Sequence, residues 1–408
     1  MPLHLFQGYG IEVEYIIVRK DTLDVLPVSD EVIRAAAGEY AVEVEFNGMG
    51  WSNEFVKHVL EIRNSRPSAP ISKMPQMYQE QIARINGILG PMGGMLMPTS
   101  MHPWMDPERE AVFWNRENRI IYSTYDRIFG CRTHGWANIQ STQINLPFSG
   151  DDEFGRLHAA IRMVLPIIPA IAASSPVYGG KASGNLDSRL TFYRRTQSRV
   201  PSIAGDIIPE NVFSIREYQS EILERMYRDI APLDPEGILQ FEWLNSRGAI
   251  PRHDRSAIEI RTPDIQECPE ADMAVISAIV AAVRGFVEER WVSFEEQKTW
   301  ETRRLLAILD KTILSAENTV IDDSQYVAMF GLRERQVKAG DLWGAVIQRD
   351  LSSGSDGAAM KPLDVILKEG TLSTRILKAL DGDMSRRRLG EVYGSLCGCL
   401  ANGTVFRA

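Results

Sequence analysis

Acidic side chains recur at alternate positions in four short apolar segments of the sequence. Glu12 and Glu14 stand in the run GIEVEYIIV, and Glu43 and Glu45 stand in AVEVEF. Two further segments end in Glu-Ile-Arg, which puts an arginine two positions after a glutamate: Glu61 with Arg63, and Glu259 with Arg261. Because side chains two apart on a strand share one face, each segment predicts a charged strand face.

Such faces are suited to binding a metal–nucleotide complex. Carboxylates that converge from neighbouring strands offer the hard oxygen ligands that Mg²⁺ and Mn²⁺ prefer, and these ions can bridge nucleotide phosphates. Arginines beside them can hold phosphate or carboxylate oxygens in bidentate fashion. For any single Glu-x-Glu pair, a solvated strand face with cross-strand ion pairs is the commoner explanation. Four such segments in one chain favour the metal–nucleotide interpretation.

Two loops add candidate binding residues. His102 lies in the turn-like segment PTSMHP, where it could contact substrate or nucleotide, or simply be exposed or cap a neighbouring segment. The segment Ala172–Arg195 combines small residues with Arg189, Arg194 and Arg195. Backbone amides in such a loop can approach an anion while the arginines neutralise its charge. A surface loop with a solvated basic end fits the same residues.

The elements that must position these residues are strands interspersed with runs of helices. Alternation and β-branched residues predict strands at Gly10–Val18, Ala41–Phe46, His58–Arg63, Ser141–Leu146 and Ala257–Arg261. Apolar residues three and four apart predict helices at Lys73–Leu89, at Glu108–Phe129, from Glu153 onward, and at Met273–Val283. We expect an α+β fold with an antiparallel or mixed sheet and helices on one side.

The last part of the chain has a different composition. After Glu295 it becomes helical and charged, and Asp350–Pro362 is a small, polar stretch typical of a flexible loop. The division predicted from this change is a domain of residues 1–295 followed by a helical extension of residues 296–408.

Composition excludes several classes of protein. The formal net charge of −9 argues against nucleic-acid binding, which needs a concentrated basic surface. The 4 cysteines form neither a disulfide framework nor a zinc motif, which favours a reducing compartment. The N-terminal residues lack a signal-peptide pattern, and no apolar run reaches membrane-spanning length. We expect a cytoplasmic protein with small-molecule substrates and no membrane or nucleic-acid partner, and the sequence leaves a homo-oligomer open.

Five motifs in a fixed order resemble the glutamate–cysteine ligase family and its carboxylate–amine ligase branch, within the glutamine synthetase superfamily. They are Gly10–Glu14, the strand that carries Glu61, His102-Pro103, Ser174–Arg189 and Ile258–Asp264. The resemblance spans residues 10 to 290. It implies a curved antiparallel sheet that forms a funnel, with ATP entering at one end and amino-acid substrates at the other.

The resemblance also implies residue roles. Glu12, Glu14, Glu61 and Glu259 correspond to ligands of Mg²⁺ or Mn²⁺, while Arg261 would face the transferring phosphate. Catalysis is assigned to Arg261, Glu259 and Arg189. The nucleotide- and substrate-binding residues implied are Gln143, Asn145, Arg189, His102 and Arg252. The residues Glu43, Glu45 and Glu54 have no secure counterpart in the five motifs.

The implied activity is ATP-dependent joining of a carboxylate to an amine through an acyl phosphate, with a γ-glutamyl amide as product. One departure bears on the substrate: Gln143 stands where many relatives carry a histidine, and an amide does not titrate near neutral pH. Two alternatives stay open at this point. One is a binding protein that kept the fold and lost the chemistry, and the other is a small-molecule kinase.

Overall fold

The computed structural model describes residues 3–351 and 360–408. The predicted loop Asp350–Pro362 falls mainly on residues 352–359, so its central part lies outside the described residues. The strands in chain order are Gly10–Arg19 (β1), Glu43–Phe46 (β2), Met49–Asn53 (β3), Val59–Asn64 (β4), Gly94–Met97 (β5), Thr142–Pro147 (β6), Val177–Tyr178 (β7), Lys181–Ala182 (β8), Ala249–Arg252 (β9), Ala257–Ile260 (β10), Val320–Ile321 (β11) and Val337–Lys338 (β12).

Helices make up most of the remaining structure. In chain order they are Ser29–Ala37 (α1), Met74–Leu89 (α2), Pro107–Glu110 (α3), Arg119–Phe129 (α4), His134–Ala137 (α5), Gly150–Val164 (α6), Pro169–Ala172 (α7), Ser188–Tyr193 (α8), Ile215–Tyr218 (α9), Glu224–Ile230 (α10), Pro269–Val287 (α11), Phe294–Lys298 (α12), Thr302–Ser315 (α13), Ser324–Met329 (α14), Ala339–Asp350 (α15), Met360–Glu369 (α16), Leu372–Leu380 (α17) and Arg386–Asn402 (α18). All five strands predicted from the sequence are present, shifted by at most two residues at either end.

The main sheet has eight strands in the order β2-β3-β4-β1-β6-β10-β9, with β5 as an additional neighbour of β1. Every pairing in it is antiparallel. The long strand β1 pairs with β4 along one edge, and on the other edge it pairs first with β6 and then with β5. This edge changes neighbour at Glu14 and Tyr15, where the Glu14 amide donates to the Ser141 carbonyl at 3.1 Å. The acidic residue Glu14 thus lies where β1 changes its neighbour from β6 to β5.

The two faces of β1 have different neighbours. Ile11, Val13, Tyr15 and Ile17 belong to the main hydrophobic core, together with residues of α2, α6 and α11. On the opposite face, Ile16 and Val18 pack into a second core with side chains of α17 and α18. The expectation of helices on one side only is therefore wrong, because the C-terminal helices cover part of the other face. Glu12 and Glu14 occupy the part of that face outside the second core.

The C-terminal region is packed into the rest of the molecule. Trp343 of α15 belongs to the main core, and its indole N–H donates to the Ile167 carbonyl at 2.8 Å. In α17, Arg375 is fully buried and pairs with Glu267 at 2.5 Å. The division into residues 1–295 and 296–408 stays a prediction, and one core spans both parts.

One predicted helix is interrupted. The segment expected as a helix from Glu108 to Phe129 forms α3 and α4, with residues 111–118 between them outside helical structure. The reason is tertiary pairing: the Trp114 amide donates to the Phe55 carbonyl at 3.0 Å, and Asn118 has a left-handed backbone conformation with φ of 67°. This extended stretch lies beside the chain that follows β3.

The helix predicted at Met273–Val283 is α11, and it is buried along nearly its whole length. Its hydrophobic residues face other helices of the core on most sides, which explains why its sequence shows little amphipathic pattern. In residues 3–351 and 360–408, no helix has both the length and the apolar character needed to cross a membrane.

Candidate active site

The charged residues predicted from the sequence meet on one face of four adjacent strands. In the register of β1, Glu14 is the direct partner of Glu61 on β4, and Glu12 is the partner of Gln143 on β6. On the next pair, Glu259 of β10 is the partner of Asn145. Directly opposed residues in an antiparallel sheet have Cβ atoms about 5 Å apart. The alternation in each strand therefore becomes one continuous polar surface.

The part of this surface that Glu12, Glu14, Glu61 and Gln143 form is the floor of a cavity of about 500 Å³. Its walls include arginines and a group of aromatic side chains from the chain after β3, from α4 and α5, and from the approach to β9. The aromatic wall consists of Phe55, Tyr122, Tyr125, Trp136 and Trp243. The rings of Phe55 and Tyr122 meet edge to face with centroids 5.2 Å apart, which supports the wall as a packed unit.

Three carboxylates in the cavity are close enough to share a cation. Glu14, Glu54 and Glu61 each offer an oxygen that lies within 4.8 Å of the other two. Within the described parts of the chain, neither Glu14 nor Glu54 forms an ion pair. Burial raises the pKa of Glu54 well above its usual range, and the neighbouring Glu14, Glu61 and Glu12 raise it further. We call this group the acidic triad.

The donor set of the acidic triad fits a hard divalent cation, because carboxylate oxygens are the ligands that Mg²⁺ and Mn²⁺ prefer. Burial also raises the pKa values of Glu14 and Glu61. Hydrogen bonds hold these two carboxylates in place: Gln143 donates to Glu14 at 2.9 Å, and Ser52 donates to Glu61 at 2.6 Å. A cation would relieve the repulsion that these fixed carboxylates experience.

Glu12 lies beside the triad. It accepts hydrogen bonds from Asn145 at 3.2 Å and from Arg255 at 3.1 Å. Burial raises its pKa to about 8, with further contributions from Glu61 and Glu259 that Arg255 and Arg252 oppose. The expected role of Glu12 as a metal ligand stays a prediction, since the triad contains Glu54 in its place.

Glu259 is fully buried between two arginines. One of its oxygens accepts from Arg261 at 2.6 Å, and the other accepts from Arg252 at 2.8 Å. Burial acts to raise the pKa of Glu259, but Arg261 and Arg252 outweigh it and hold the pKa below the usual range. Both oxygens are thus engaged by guanidinium groups. A role of Glu259 in binding metal stays a prediction.

Arg261 completes this cluster. Its guanidinium also contacts the Tyr193 hydroxyl at 3.3 Å, and both residues line the cavity. Because Arg252 and Arg261 share a single carboxylate, the Arg252–Glu259–Arg261 cluster carries a formal charge of +1. It lies on the strand pair β9–β10, two strands away from β1. The cavity therefore has a cationic side and an acidic side.

The two predicted amides on β6 leave unused hydrogen-bonding atoms on this face. The side-chain oxygens of Gln143 and Asn145 are buried and have no hydrogen-bond donor among the described residues. An amide oxygen without a donor is a suitable acceptor for a bound water, a cation or an ammonium group. Gln143 lines the cavity, whereas Asn145 lines a smaller cavity of about 430 Å³ that shares Glu12 and Arg255 with it.

Arg189 lines the cavity, but its guanidinium is engaged mainly by other groups of the protein. Only 2% of its surface is exposed, and its Nε pairs with Asp264 at 2.5 Å. Its other nitrogens donate to the backbone carbonyls of Arg261 and Thr262. These bonds fix the chain immediately after β10, so the geometry makes Arg189 a positioning residue for Arg261. Its assigned role in binding phosphate or carboxylate stays a prediction.

His102 is not brought to the cavity. The residue is fully buried, and one ring nitrogen meets the Leu23 carbonyl at 2.7 Å while the other accepts from the Met105 amide at 3.0 Å. Burial lowers its pKa to about 3, so the ring is neutral. The structure gives His102 a role in fixing a loop, and its position does not support the expected contact with nucleotide.

Sequence reasoning missed several cavity residues. Glu54 follows β3 outside the strand alternation, and Arg255 lies in the turn between β9 and β10. The signal for Arg255 was present in the short polar stretch HDRS between two apolar runs, which is typical of a hairpin turn. The aromatic wall has no local signal, because its members are brought together from distant segments of the chain.

A comparison with solved structures shows the fold. Glutamate–cysteine ligase from Francisella tularensis, solved in complex with AMP, superimposes with a TM-score of 0.59 at 12% sequence identity. The match covers 99% of this chain and 95% of that chain. The expected fold class, an antiparallel glutamine synthetase-like sheet with flanking helices, is therefore confirmed.

Sequence comparisons agree with this result. An uncharacterized protein of Archaeoglobus fulgidus is 32% identical over 397 residues, which cover 97% of this chain and 99% of that protein. A Nocardioides protein whose name assigns it provisionally as glutamate–cysteine ligase 2-1 is 24% identical over 305 residues, 72% of each chain. The model of glutamate–cysteine ligase family 2 matches residues 9–395. The chain therefore belongs to glutamate–cysteine ligase family 2, a family of ligases.

Proposed function

We propose that this protein is an ATP-dependent carboxylate–amine ligase that forms a γ-glutamyl amide through an acyl-phosphate intermediate. The observation that carries the proposal is the pairing, within one cavity, of the acidic triad with the Arg252–Glu259–Arg261 cluster. Family membership supports the ligase chemistry. The AMP bound to the Francisella enzyme of the same fold supports a nucleotide site.

The reaction requires two consecutive nucleophilic attacks. A carboxylate oxygen of the acid attacks the γ-phosphorus of ATP, and the bond to the ADP oxygen breaks. The amine nitrogen then attacks the acyl carbon, phosphate leaves, and the nitrogen loses a proton to solvent. Both steps concentrate negative charge on phosphate oxygens, so positioning and charge neutralisation can supply most of the catalysis.

The chain's own residues are arranged for these demands. Glu14, Glu54 and Glu61 would hold Mg²⁺ or Mn²⁺, which when bound neutralises phosphate charge. Arg261 offers a guanidinium fixed by a buried carboxylate, so its orientation is set before the substrates bind. The aromatic wall reduces the access of water to that side of the cavity, which protects an acyl phosphate from hydrolysis.

The cavity also has features suited to an amine. A protonated amine is attracted to a buried acidic surface, and the unused oxygen of Gln143 can accept one of its hydrogens. We propose amino-acid substrates, with glutamate as the activated acid. Gln143 is uncharged at every pH, so unlike a histidine it adds no positive charge near an incoming ammonium group.

The experiment is a screen for ADP release with Mg-ATP, glutamate and a panel of amines including cysteine, run with and without hydroxylamine. The proposal predicts ADP release that depends on both acid and amine, and a hydroxamate when hydroxylamine replaces the amine. A kinase that stops at a stable phosphorylated product would release ADP without hydroxamate. A binding protein would take up Mg-ATP in calorimetry and release no ADP.

A further inference from the structure

A second, larger cavity lies beside the candidate active site. It has a volume of about 1010 Å³ and shares Trp243 and Arg252 with the first cavity. One side of it is formed by the helical segment around residues 215–227, which includes a π-helical turn. The other side is formed by the turn that joins β9 to β10. Apart from Trp243 and Arg252, the residues that line it have no role in the candidate active site. The space is open to solvent on one side, and its volume is close to the roughly 300–1,000 Å³ typical of ligand-binding clefts.

The wall of the second cavity includes an exposed aromatic platform. Phe241 is 55% exposed, and its ring stacks on Trp243 with centroids 5.6 Å apart and planes inclined by 10°. Other apolar side chains of the chain are equally exposed, such as Leu314 at 53%, but Phe241 is stacked on a second ring at the wall of a cavity. Because Trp243 supports one face of the Phe241 ring, the other face can receive a flat apolar group. The stack leads directly to the first cavity through Trp243.

Charged groups surround this platform, and their summed formal charge is slightly negative. The carboxylates lining the second cavity are Asp151, Glu242 and Asp254, and the cations are Arg216 and Arg252. Of these, Arg252 is engaged by Glu259 of the active site at 2.8 Å. The cavity therefore favours a ligand that is cationic or that donates hydrogen bonds.

Arg252 links the two spaces. Its Nε lies 3.7 Å from Glu242 and 3.8 Å from Asp254, too far for a hydrogen bond to either. That nitrogen is buried and has no hydrogen-bond acceptor among the described residues. A ligand that passes from the second cavity to the first would lie along Arg252 and Trp243.

We infer that the amine substrate is an elongated molecule, whose reactive nitrogen enters the first cavity while an aromatic or flat apolar tail stacks on Phe241 in the second. This inference rests on the proposed ligase function and names the substrate class of the same site. The first cavity must also hold the reacting phosphates and the activated acid, so its 500 Å³ leaves limited room for a bulky amine.

A nucleotide base is the competing occupant of the second cavity. Two observations favour the amine tail. A nucleotide with its base here would have to lead its phosphates past Asp151, Glu242 and Asp254, which outnumber the cations of this cavity, whereas an amine would pass them as a cation. The third cavity, of about 430 Å³, shares Glu12 and Arg255 with the first cavity and leaves separate space for a nucleoside.

The test compares primary amines that share one reactive end and differ in the tail: methylamine, 2-phenylethylamine and 4-phenylbutylamine. Initial rates of amide and ADP formation are measured with saturating glutamate and Mg-ATP. We expect kcat/KM to rise at least tenfold from the shortest to the best aromatic amine. In Phe241→Ala this gain should fall at least tenfold, while the KM for ATP and the rate of hydroxamate formation change less than twofold.

Leu314→Ala is the matched control, because Leu314 is 53% exposed and lies on α13 away from the cavities described. Its kinetics should equal those of the unaltered protein. Equal kcat/KM for the three amines, or an increase in the KM for ATP in Phe241→Ala with unchanged amine preference, would overturn this inference alone. Absence of both ADP and hydroxamate would overturn the proposed function and this inference with it.

Discussion

Glu14 and Glu61 are directly opposed on the antiparallel strands β1 and β4, and their carboxylates share a cluster with Glu54 in which all three ligand oxygens lie within 4.8 Å. Like charges at such a distance repel, and directly opposed like charges weaken a sheet. A protein that keeps this arrangement loses stability unless a proton or a cation neutralises the cluster. The predictions below follow from this conflict and from the arginine cluster beside it.

The first prediction concerns the divalent cation. Glu54→Gln should weaken the binding of Mg²⁺ or Mn²⁺ by about 10-fold or more, because it removes one charged ligand from the triad. Calorimetric titration with MgCl₂ measures this directly. Glu45→Gln is the control, since Glu45 lies on the exposed strand β2 and pairs with Arg63 at 3.4 Å. Equal affinity in the two variants would remove the triad as the metal site.

The second prediction concerns pH. Burial raises the pKa of Glu12 to about 8, and it also raises the pKa values of the triad carboxylates. A cation must displace the protons that these groups hold, so its apparent affinity should increase as the pH rises. Calorimetry in two buffers of different ionisation enthalpy counts the protons released. Binding without proton release at neutral pH would contradict the raised pKa values.

The third prediction concerns Arg189. Arg189→Met leaves the fully buried carboxylate of Asp264 without its guanidinium, so the free energy of unfolding should fall by about 3–5 kcal/mol. Urea denaturation measures the change. Arg194→Met is the control on the same helical segment, where the more exposed pair with Asp310 should contribute less than about 1 kcal/mol. Similar losses in both variants would show that Asp264 does not depend on Arg189.

The fourth prediction concerns Asp272, on the core side of the sheet. Burial raises its pKa to about 7, while the Gln266 amide and the Thr142 hydroxyl act to lower it. The raised pKa means that the folded state binds the proton more tightly, so this contribution to stability is present below about pH 4 and is lost as the pH rises through about 7. Asp272→Asn should remove this pH dependence, on the order of 4 kcal/mol. Denaturation curves between about pH 4 and about pH 8 provide the measurement, and an unchanged slope in the variant would refute it.

The fifth prediction concerns Glu259. Glu259→Gln removes the charge that fixes Arg252 and Arg261, so amine-dependent ADP release should fall by about 100-fold or more. Since the variant leaves two arginines without their shared carboxylate, its fold must be verified by circular dichroism. Arg261→Lys, which keeps the charge and loses the bidentate geometry, should give a smaller loss without unfolding. Unchanged turnover in Glu259→Gln would remove this assignment.

The strands and their acidic faces could be predicted because alternation is a local property of the sequence. Glu12, Glu14, Glu61 and Glu259 all lie on the predicted strands and come to one surface. The order in which strands pair is not local, and it determines that Glu54, outside any strand, completes the triad instead of Glu12. His102 shows the same limit, because only its burial against the Leu23 carbonyl distinguishes a loop-fixing histidine from a ligand-binding one.

The interrupted helix at residues 111–118 has a similar cause. Its sequence has helical periodicity, but hydrogen bonds to the chain around Phe55 hold it extended. This tertiary pairing also places Tyr122 and Tyr125 against Phe55, and so forms the aromatic wall. Arg189 lines the cavity, and its ion pair with Asp264 could be seen only in the folded structure.

The most direct test of the acyl-phosphate ligase mechanism follows oxygen atoms. Glutamate labelled with ¹⁸O in its side-chain carboxylate is incubated with the protein, Mg-ATP and a reactive amine, and the released phosphate is analysed by mass spectrometry. In an acyl-phosphate mechanism one carboxylate oxygen leaves with the phosphate. We predict one ¹⁸O atom in each phosphate formed together with amide, and unlabelled phosphate accompanying amide formation would contradict the account.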